Sequence, residues 1–372
     1  MSHRGGSQGS PLVMAPAVAP RREWHAEGYF LTTPGEALTR GPLAMSEPGP
    51  DEAIVEVGAC GLCHTDLAFA SGAVAPRHPL PLVLGHEVTG RVVAAGDAVG
   101  DLLGRPVLVP AVLPCGECAF CRGGRSNVCP HQKMPGNDLD GGFATHLRVP
   151  GRFLVPLDDA PPGIAHDELA VVADAVSTAY QAVRRSGLRA GDLAVVVGAG
   201  GVGGFVAQVA AALGAYPVVL DVRREPLAAL AACGIEATVA IGADERAARQ
   251  EALGAMRATR VPSLAWRLFE CSGTPGGQAL AFSLLAPAAT LVLVGYTPEK
   301  VAVRLSNLMA HDATVHGTWG CPPEAYPEVL RFVYTGKVKI SPFMERAPMA
   351  DLNRLLADMA AHRLTRRMVL LP

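Results

Sequence analysis

Apolar and polar positions in the second half of the chain alternate between short hydrophobic runs and longer segments with a helical repeat. The run LAVVVG at 193–198 is followed by helix-like FVAQVAAALGA and then by YPVVLD at 216–221. Short apolar runs rich in β-branched residues are typical of strands that are buried on both faces. The pattern continues with helix-like segments at 225–232, 243–258 and 275–285 and with strand-like segments at 263–271 and 290–295. This alternation predicts an α/β fold with a doubly wound parallel sheet.

Two stretches raise the question of a membrane or a secretory segment. Residues 193–220 carry no charge, but glycines and a proline divide them into strand, turn, helix and strand, so we predict no membrane span. Residues 1–22 are rich in Gly, Ser and Pro and have no periodic pattern, which indicates a flexible leader. A weak signal peptide is the alternative, since Arg4 precedes an apolar stretch, but the prolines and the short apolar core disfavour it.

The first apolar run ends in a glycine loop with the spacing of a dinucleotide-binding turn. Gly198, Gly200 and Gly203 form G-x-G-x-x-G between a strand and a helix, and Gly201 and Val202 complete the loop. The first glycine allows the turn, the second lets the backbone approach a pyrophosphate, and the third lets the helix pack against the strand. A glycine turn with a purely structural role is the alternative interpretation.

The residues that follow the second strand bear on the choice of cofactor. Asp221 ends that strand and would accept hydrogen bonds from the adenosine ribose hydroxyls while repelling a 2′-phosphate, which favours NAD over NADP. Arg223 and Arg224 come directly afterwards. Arginines at such positions sometimes hold a 2′-phosphate, so both lie in the predicted cofactor site and weaken the preference for NAD.

Four of the nine cysteines form a second motif, with the spacing C-x2-C-x2-C-x7-C at Cys115, Cys118, Cys121 and Cys129. Thiolates two residues apart can meet on one tetrahedral ion, whereas disulfides between such close neighbours are geometrically awkward. Iron–sulfur clusters also take four cysteines, but with other spacings. The motif therefore predicts a closed structural zinc site. We expect Cys60, Cys233, Cys271 and Cys321 to be buried as small hydrophobic residues.

Length, charge and cysteine usage indicate the number of domains, the kinds of binding partner and the compartment of the protein. A chain of 372 residues is long for a single core and predicts two domains. With 32 basic and 34 acidic residues the net charge is −2, which gives no basic patch for a nucleic acid. Metal-binding cysteines indicate a reducing compartment, so we expect a cytoplasmic protein.

The order of these motifs, with G-x-C-H-T-D at 61–66 and GHE at 85–87 preceding the cysteine motif, resembles the zinc-dependent alcohol dehydrogenases of the medium-chain dehydrogenase/reductase family. The resemblance covers residues 25–372 and implies a GroES-like β-rich catalytic domain and a Rossmann domain. We therefore expect the leader at 1–22, the catalytic domain at 23–173, the Rossmann domain at 174–316 and a return to the catalytic domain at 317–372.

The resemblance also implies a second, catalytic zinc. Its ligands match Cys63, His86 and Asp174, the last at a position where a cysteine is more frequent in the family. Two anionic ligands and one imidazole leave a neutral site with one open position. Glu87 is similar to the residue that serves as a neighbour or transient fourth ligand, and Asp66 to the residue that orients the metal-bound histidine.

The remaining site residues follow from the same resemblance. Thr65 is expected to take the proton of the alcohol, while His64 and Arg367 match contacts to the cofactor pyrophosphate. Ala68 stands where many members carry a histidine that ends the proton relay. The relay would therefore stop at the cofactor ribose, run through water, or use a group that the sequence does not identify.

The substrate is the least determined part of the prediction. Ala111 replaces a bulky aromatic, and residues 136–147 and 304–324 look most like the 6-hydroxycyclohex-1-ene-1-carbonyl-CoA dehydrogenases of anaerobic benzoyl-CoA degradation, which predicts a CoA thioester. A general secondary-alcohol or polyol dehydrogenase is the alternative, and a non-catalytic cofactor-binding relative is a third. The family implies a homo-oligomer, either a dimer or a tetramer.

Overall fold

The computed structural model describes residues 24–372, and the predicted leader lies outside the described residues. Strands are β1 Glu27–Leu31, β2 Thr39–Pro42, β3 Glu52–Gly61, β4 Leu82–Val83, β5 Glu87–Ala95, β6 Pro106–Val109, β7 His146–Pro150, β8 Val155–Pro156, β9 Leu193–Val197, β10 Tyr216–Asp221, β11 Thr238–Ala240, β12 Trp266–Glu270, β13 Thr290–Leu293, β14 Thr314–Gly317, β15 Met344–Pro348 and β16 Arg367–Leu371.

Ten α-helices are found among the described residues. They are α1 His64–Ala70, α2 Ala119–Arg122, α3 Ala175–Arg185, α4 Gly203–Ala212, α5 Arg224–Ala231, α6 Glu245–Ala258, α7 Pro275–Ser283, α8 Ser306–His311, α9 Tyr326–Tyr334 and α10 Leu352–Ala360. Within residues 24–372, none of these helices has both the length and the apolar composition that a membrane span requires.

A six-stranded sheet forms the second half of the fold, with the order β11-β10-β9-β12-β13-β14 and every pair parallel. Helices cover both faces, which is why β9 is apolar throughout. Ala194 and Val196 face one core, whereas Leu193, Val195 and Val197 face the other. The predicted doubly wound parallel sheet is confirmed.

Two element boundaries differ from the prediction. The helix predicted from residue 243 begins at Glu245, because the Asp244 side chain accepts from the Ala247 amide as an N-cap. The strand predicted over 263–271 is shorter, since residues 263–265 form a 3₁₀ turn before β12.

The first half of the chain builds a mainly antiparallel β region, as the resemblance implied. Seven strands form the larger sheet, in the order β15-β16-β3-β5-β6-β8 with β7 also paired to β3, and β2-β1-β4 form a smaller one. The last two strands of the chain are β15 and β16, so the C-terminus joins the sheet that the N-terminal half begins. The fold therefore combines a β-rich domain with a Rossmann-type sheet, as predicted.

The two halves meet around α3, and this junction positions the site. A 3₁₀ helix over Glu168–Ala173 leads into α3, so the predicted boundary at 173/174 falls between these two helices. The predicted boundary at 316/317 falls inside β14. Ala59 and Leu108 of the β-rich half share a hydrophobic core with residues of α3, α4 and α9. Side chains from both halves can therefore converge near the start of α3.

Candidate metal and cofactor sites

The four cysteines of the C-x2-C-x2-C-x7-C motif converge in a lobe around α2. All four Sγ atoms lie within 4.8 Å of one another, and four of the six pairs are 3.5–3.9 Å apart: 3.5 Å for Cys118–Cys121, 3.7 Å for Cys118–Cys129, 3.6 Å for Cys129–Cys115 and 3.9 Å for Cys115–Cys121. Four thiolates at about 2.3 Å from one tetrahedral ion would be about 3.8 Å apart, so the lobe fits zinc. Backbone amides of Glu117 and Cys118 lower the pKa of the Cys115 thiol, which favours the thiolate that a metal needs.

A second cluster gathers ligand atoms from three distant parts of the chain. Cys63 follows β3, His86 precedes β5 and Asp174 precedes α3. Asp174 Oδ2 lies 3.7 Å from Cys63 Sγ and 3.6 Å from His86 Nε2. Ligands at 2.0–2.3 Å from a tetrahedral zinc would be about 3.3–3.8 Å apart, so these three atoms fit a zinc ion. Glu87 also places a carboxylate oxygen within 4.8 Å of the other ligand atoms.

Asp66 organises the cluster from behind. Its carboxylate accepts hydrogen bonds from the backbone amides of Cys63, at 3.0 Å, and Gly85, at 3.1 Å. Its Oδ1 atom also lies 3.2 Å from His86 Nδ1. Because Asp66 faces Nδ1, the other ring nitrogen of His86 faces Asp174. This is the arrangement in which a carboxylate fixes the orientation of a ligating imidazole.

The carboxylate of Asp174 is held in place by its own helix. Thr178, one turn further along α3, donates a 2.7 Å hydrogen bond to Oδ1, which leaves Oδ2 facing Cys63 and His86. Burial opposes ionisation of Asp174, but the hydrogen bond of His86, the charge of Arg367 and the hydrogen bond of Thr178 hold the pKa of this carboxyl below its usual range. The group is therefore available as an anionic ligand at neutral pH.

The backbone beside Asp174 has a partner that the sequence analysis missed. Tyr326, at the start of α9, is fully buried, and its hydroxyl donates a 2.5 Å hydrogen bond to the carbonyl of Ala173. The Ser177 hydroxyl lies 3.2 Å from the same Tyr326 oxygen. No local pattern marks a tyrosine 153 positions away as a support for this ligand.

Glu87 and Arg367 form a buried ion pair beside the cluster. Their oxygen and nitrogen atoms lie 2.5 Å apart, and the other oxygen, Oε2, is buried without a hydrogen-bond partner. Burial raises the pKa of Glu87 to about 7, against the opposing charge of Arg367. Gly61 faces this carboxylate at a distance that leaves no room for a Cβ atom, which explains a glycine at that position.

Thr65 and His64 occupy the first turn of α1, immediately after Cys63. Thr65 Oγ1 lies 3.7 Å from Cys63 Sγ, so its hydroxyl borders the ligand cluster. His64 is exposed on the same turn, and Ala68 lies one turn further along the helix. The structure thus places Thr65 next to the cluster and provides no acid–base side chain at position 68.

The glycine loop between β9 and α4 has the geometry of a phosphate cradle. Gly198 has a φ of +96°, and a Cβ atom there would come within 2.6 Å of the Ser272 nitrogen. A Cβ on Gly203 would collide with the Gly198 carbonyl, whereas Gly200 faces open space. Gly201 lies beside Arg367, since a Cβ on it would be 3.1 Å from the Arg367 Nε atom. The loop therefore fits a pyrophosphate, and Arg367 reaches both this loop and Glu87.

Asp221 lies at the C-terminal end of β10, next to the loop. It accepts hydrogen bonds from the amides of Ala199, at 2.6 Å, and Arg223, at 2.8 Å, and each oxygen retains a lone pair for a ribose hydroxyl. The Arg223 guanidinium donates to the carbonyl of Leu364 at 3.3 Å. Arg224 starts α5 with an exposed side chain that makes no hydrogen bond or ion pair with residues 24–372.

Of the four cysteines that were expected to be buried, Cys60 and Cys321 are buried, and neither belongs to a ligand cluster among the described residues. Cys233 and Cys271 are only partly buried, but both pack against the hydrophobic core and neither belongs to a ligand cluster among the described residues, so the expectation was wrong only in the extent of burial. Cys233 follows the end of α5 and Cys271 follows β12, so each lies at an element terminus.

Comparisons with known proteins agree with this geometry. Residues 49–159 match the alcohol dehydrogenase GroES-like domain, and residues 201–335 match the zinc-binding dehydrogenase family. The chain is 30% identical to alcohol dehydrogenase 1 of Emericella nidulans over 349 residues, which is 90% of this chain and 95% of the relative. It is also 30% identical to L-galactonate-5-dehydrogenase of Escherichia coli over 310 residues, with 82% and 87% covered.

A solved structure has the same fold over almost the whole chain. The cobalt- and zinc-bound thermostable alcohol dehydrogenase from Pyrobaculum aerophilum superposes with a TM-score of 0.80 at 25% identity, covering 93% of this chain and 99% of that one. The relatives that are 30% identical over more than two thirds of the chain, together with the matched domains, show the family. The chain belongs to the zinc-dependent alcohol dehydrogenases and is an NAD-dependent oxidoreductase that acts on CH–OH donors.

Proposed function

We propose that the chain oxidises a secondary alcohol to a ketone, with hydride transfer to NAD⁺, at the site formed by Cys63, His86 and Asp174. The observation that carries this proposal is the convergence of these three ligand atoms beside the Thr65 hydroxyl. A catalytic zinc site has three protein ligands and one open position, whereas the four-cysteine lobe fills all positions and suits a structural ion.

Each ligand has a distinct part in the proposed site. Cys63 and Asp174 supply two negative charges and His86 a neutral nitrogen, so a bound Zn²⁺ would be neutralised without a fourth protein ligand. Zinc held there would supply Lewis-acid polarisation that lowers the pKa of the alcohol. Glu87 is paired through Oε1 with Arg367, while its unpartnered Oε2 leaves it available as a transient ligand.

Thr65 is the proposed first proton acceptor. Its hydroxyl borders the ligand cluster, so it can take the alcohol proton at Oγ1 and pass its own hydrogen onward. Because Ala68 cannot continue the relay, we propose that the proton leaves through the cofactor ribose or through water. The electron pair that the broken O–H bond leaves on oxygen then forms the second C–O bond of the ketone as the carbon loses hydride, for which bound NAD⁺ would supply the acceptor.

The cofactor site that we propose uses the glycine loop at 198–203 for the pyrophosphate, with His64 and Arg367 as further contacts. Asp221 would bind the adenosine ribose, and Arg224 would border it. Support for NAD over NADP comes from the Asp221 carboxylate and from Arg223, whose guanidinium is turned to the Leu364 carbonyl. We further propose a cytoplasmic homo-oligomer, as the family implies, with domains as predicted from the sequence.

Two substrate classes are consistent with this chemistry. The relative named L-galactonate-5-dehydrogenase supports a hydroxylated secondary alcohol, which is the general alternative of the sequence analysis. A cyclic 6-hydroxyenoyl-CoA thioester is the second candidate, and the small side chain of Ala111 supports it. Ala111 lies close to the ligand cluster, because its amide donates a hydrogen bond to the carbonyl of Ala173, the residue before Asp174. A bulky aromatic at position 111 would occupy space that this substrate needs.

A matched substrate panel tests the proposal. NADH formation is followed by absorbance with simple secondary alcohols, aldonic acids, and a ring-hydroxylated acyl-CoA thioester beside its free acid. A kcat/KM for the thioester at least about a hundredfold above that of the free acid would select the CoA candidate, because binding energy from a remote group lowers the barrier. Equal turnover would select a general alcohol dehydrogenase. If the zinc-loaded protein reduced NAD⁺ with none of these alcohols, the proposed function would be refuted.

A further inference from the structure

A cavity of about 280 Å³ lies away from the ligand cluster, where three segments of the chain meet. The zinc lobe contributes Arg125 and the turn that follows it, α3 contributes its C-terminal half, and the segment after β14 contributes the third wall. The residues that line it are Arg125, Asn127, Val128, Gln181, Arg185, Gly317, Thr318 and Trp319. Gln181 is seven positions beyond Asp174 on α3, or about 10 Å along the helix axis.

The cavity carries two positive charges that are not neutralised. Within residues 24–372, neither Arg125 nor Arg185 has a carboxylate within ion-pair distance or makes a side-chain hydrogen bond. The buried Arg367, in contrast, is paired with Glu87. Two free guanidinium groups on one cavity favour an anion with planar or tetrahedral oxygens, since they can bind carboxylate and phosphate in a bidentate manner.

Two buried oxygens of lining residues, one in the zinc lobe and one in the segment after β14, have no hydrogen-bond partner among the described residues. Asn127 is 3% exposed, and its Nδ2 donates to the Trp319 carbonyl at 2.7 Å, which identifies the amide oxygen as the unpartnered atom. The Thr318 hydroxyl oxygen is also buried and unpartnered. Both oxygens are closed off from the cavity surface, so a ligand there would bind through the two guanidinium groups.

Trp319 provides an apolar wall with a fixed orientation. Its indole nitrogen donates to Gln132 at 3.1 Å, while 47% of the residue remains exposed. The cavity thus combines two cationic side chains with an aromatic surface. This set matches a small organic molecule with one anionic group.

We propose that this cavity is a binding site for a small organic anion, with its carboxylate or phosphate on Arg125 and Arg185 and its carbon skeleton against Trp319. The anion has two sources that share this chemistry. It is either the acidic end of the alcohol substrate, in which case the inference rests on the proposed function, or a separate molecule that binds independently of turnover.

Binding is measured directly on the zinc-loaded, NADH-bound protein by calorimetry, with inorganic phosphate and D-gluconate as probes. The double variant Arg125→Gln/Arg185→Gln should bind both probes at least about tenfold more weakly, since two charge-assisted contacts are lost. Arg184→Gln is the matched control: it removes one positive charge from the same turn of α3, where Arg184 lies over the Tyr180 ring outside the cavity.

Inhibition kinetics then distinguish the two sources. Gluconate that competes with the alcohol indicates a substrate subsite, whereas inhibition or activation that is not competitive indicates a separate ligand, and either result supports the proposed site. No binding of either probe at concentrations up to about 20 mM, or equal binding by the double variant and the parent, would overturn it. Because binding is measured without turnover, this failure is separate from failure of the proposed function.

Discussion

Asp174 is the side chain on which the proposed catalytic metal depends most directly. Replacing it by alanine leaves Cys63 and His86 as a pair, and two protein ligands hold zinc poorly. We expect Asp174→Ala to lower bound zinc from about two ions to about one per chain and to abolish turnover, while NADH binding persists. Thr178→Val, which removes only the hydrogen bond to Oδ1, is the control and should keep both ions with reduced activity. A metal analysis that still gives two ions in Asp174→Ala would show that Glu87 is the third ligand.

Asp221 is the side chain on which the proposed preference for NAD⁺ over NADP⁺ depends most directly. Its two oxygens are held by the amides of Ala199 and Arg223, so the carboxylate keeps its position without the cofactor. We expect kcat/KM for NAD⁺ to exceed that for NADP⁺ at least about tenfold, which corresponds to about 1.4 kcal/mol of transition-state stabilisation. Asp221→Ser should reduce this ratio, and Arg224→Gln should tell whether the exposed arginine contributes. Equal efficiency of the parent with both cofactors would contradict the role of Asp221.

The β9–loop–α4 unit carries the cofactor site as a single element. Its close packing depends on Gly203, where a Cβ atom would collide with the Gly198 carbonyl and push the helix away from the strand. We expect Gly203→Ala to raise the Kd for NADH at least about tenfold by moving the amides that face the pyrophosphate. Gly200→Ala is the matched comparison. A Cβ atom on Gly200 would meet no protein atom, so this variant should fold normally, but the added methyl group should still obstruct the pyrophosphate. Unchanged NADH titrations for both variants would remove the loop from the binding site.

For the molecule as a whole, the four-cysteine cluster should control thermal stability, whereas the cluster of Cys63, His86 and Asp174 should control turnover. The cysteine lobe cross-links its loop through a closed site, so Cys118→Ser should lower the Tm by about 5–10 °C, since structural zinc contributes folding free energy. Cys63→Ser should abolish turnover with a much smaller change in Tm, because its surroundings remain packed between the two halves. Calorimetry of both variants beside a substrate assay checks this pair of outcomes. The separation would be wrong if Cys118→Ser kept the parent Tm or if Cys63→Ser unfolded the protein.

Features encoded over short distances along the chain could be predicted from the sequence. The apolar runs predicted four of the six strands of the parallel sheet, and YPVVLD coincides with β10, whereas the short edge strands β11 and β14 were not predicted. The cysteine spacing and the glycine loop were also visible, because ligands or turn residues a few positions apart must lie close together in any fold. The second metal cluster was different: Cys63 and Asp174 are 111 positions apart, so only the family resemblance, not any local pattern, brought them together.

The sequence by itself therefore determined the class of fold, the four-thiol motif and the nucleotide loop. Tertiary structure alone decided the contacts between distant elements: Arg367 beside Glu87, the Tyr326 hydroxyl on the Ala173 carbonyl, and Arg125 facing the same cavity as Arg185. The physical reason is that periodicity and spacing specify which face of an element is buried. Which residues meet across that face depends on how the strands of both halves are paired, and this pairing is set by the packing of the complete core.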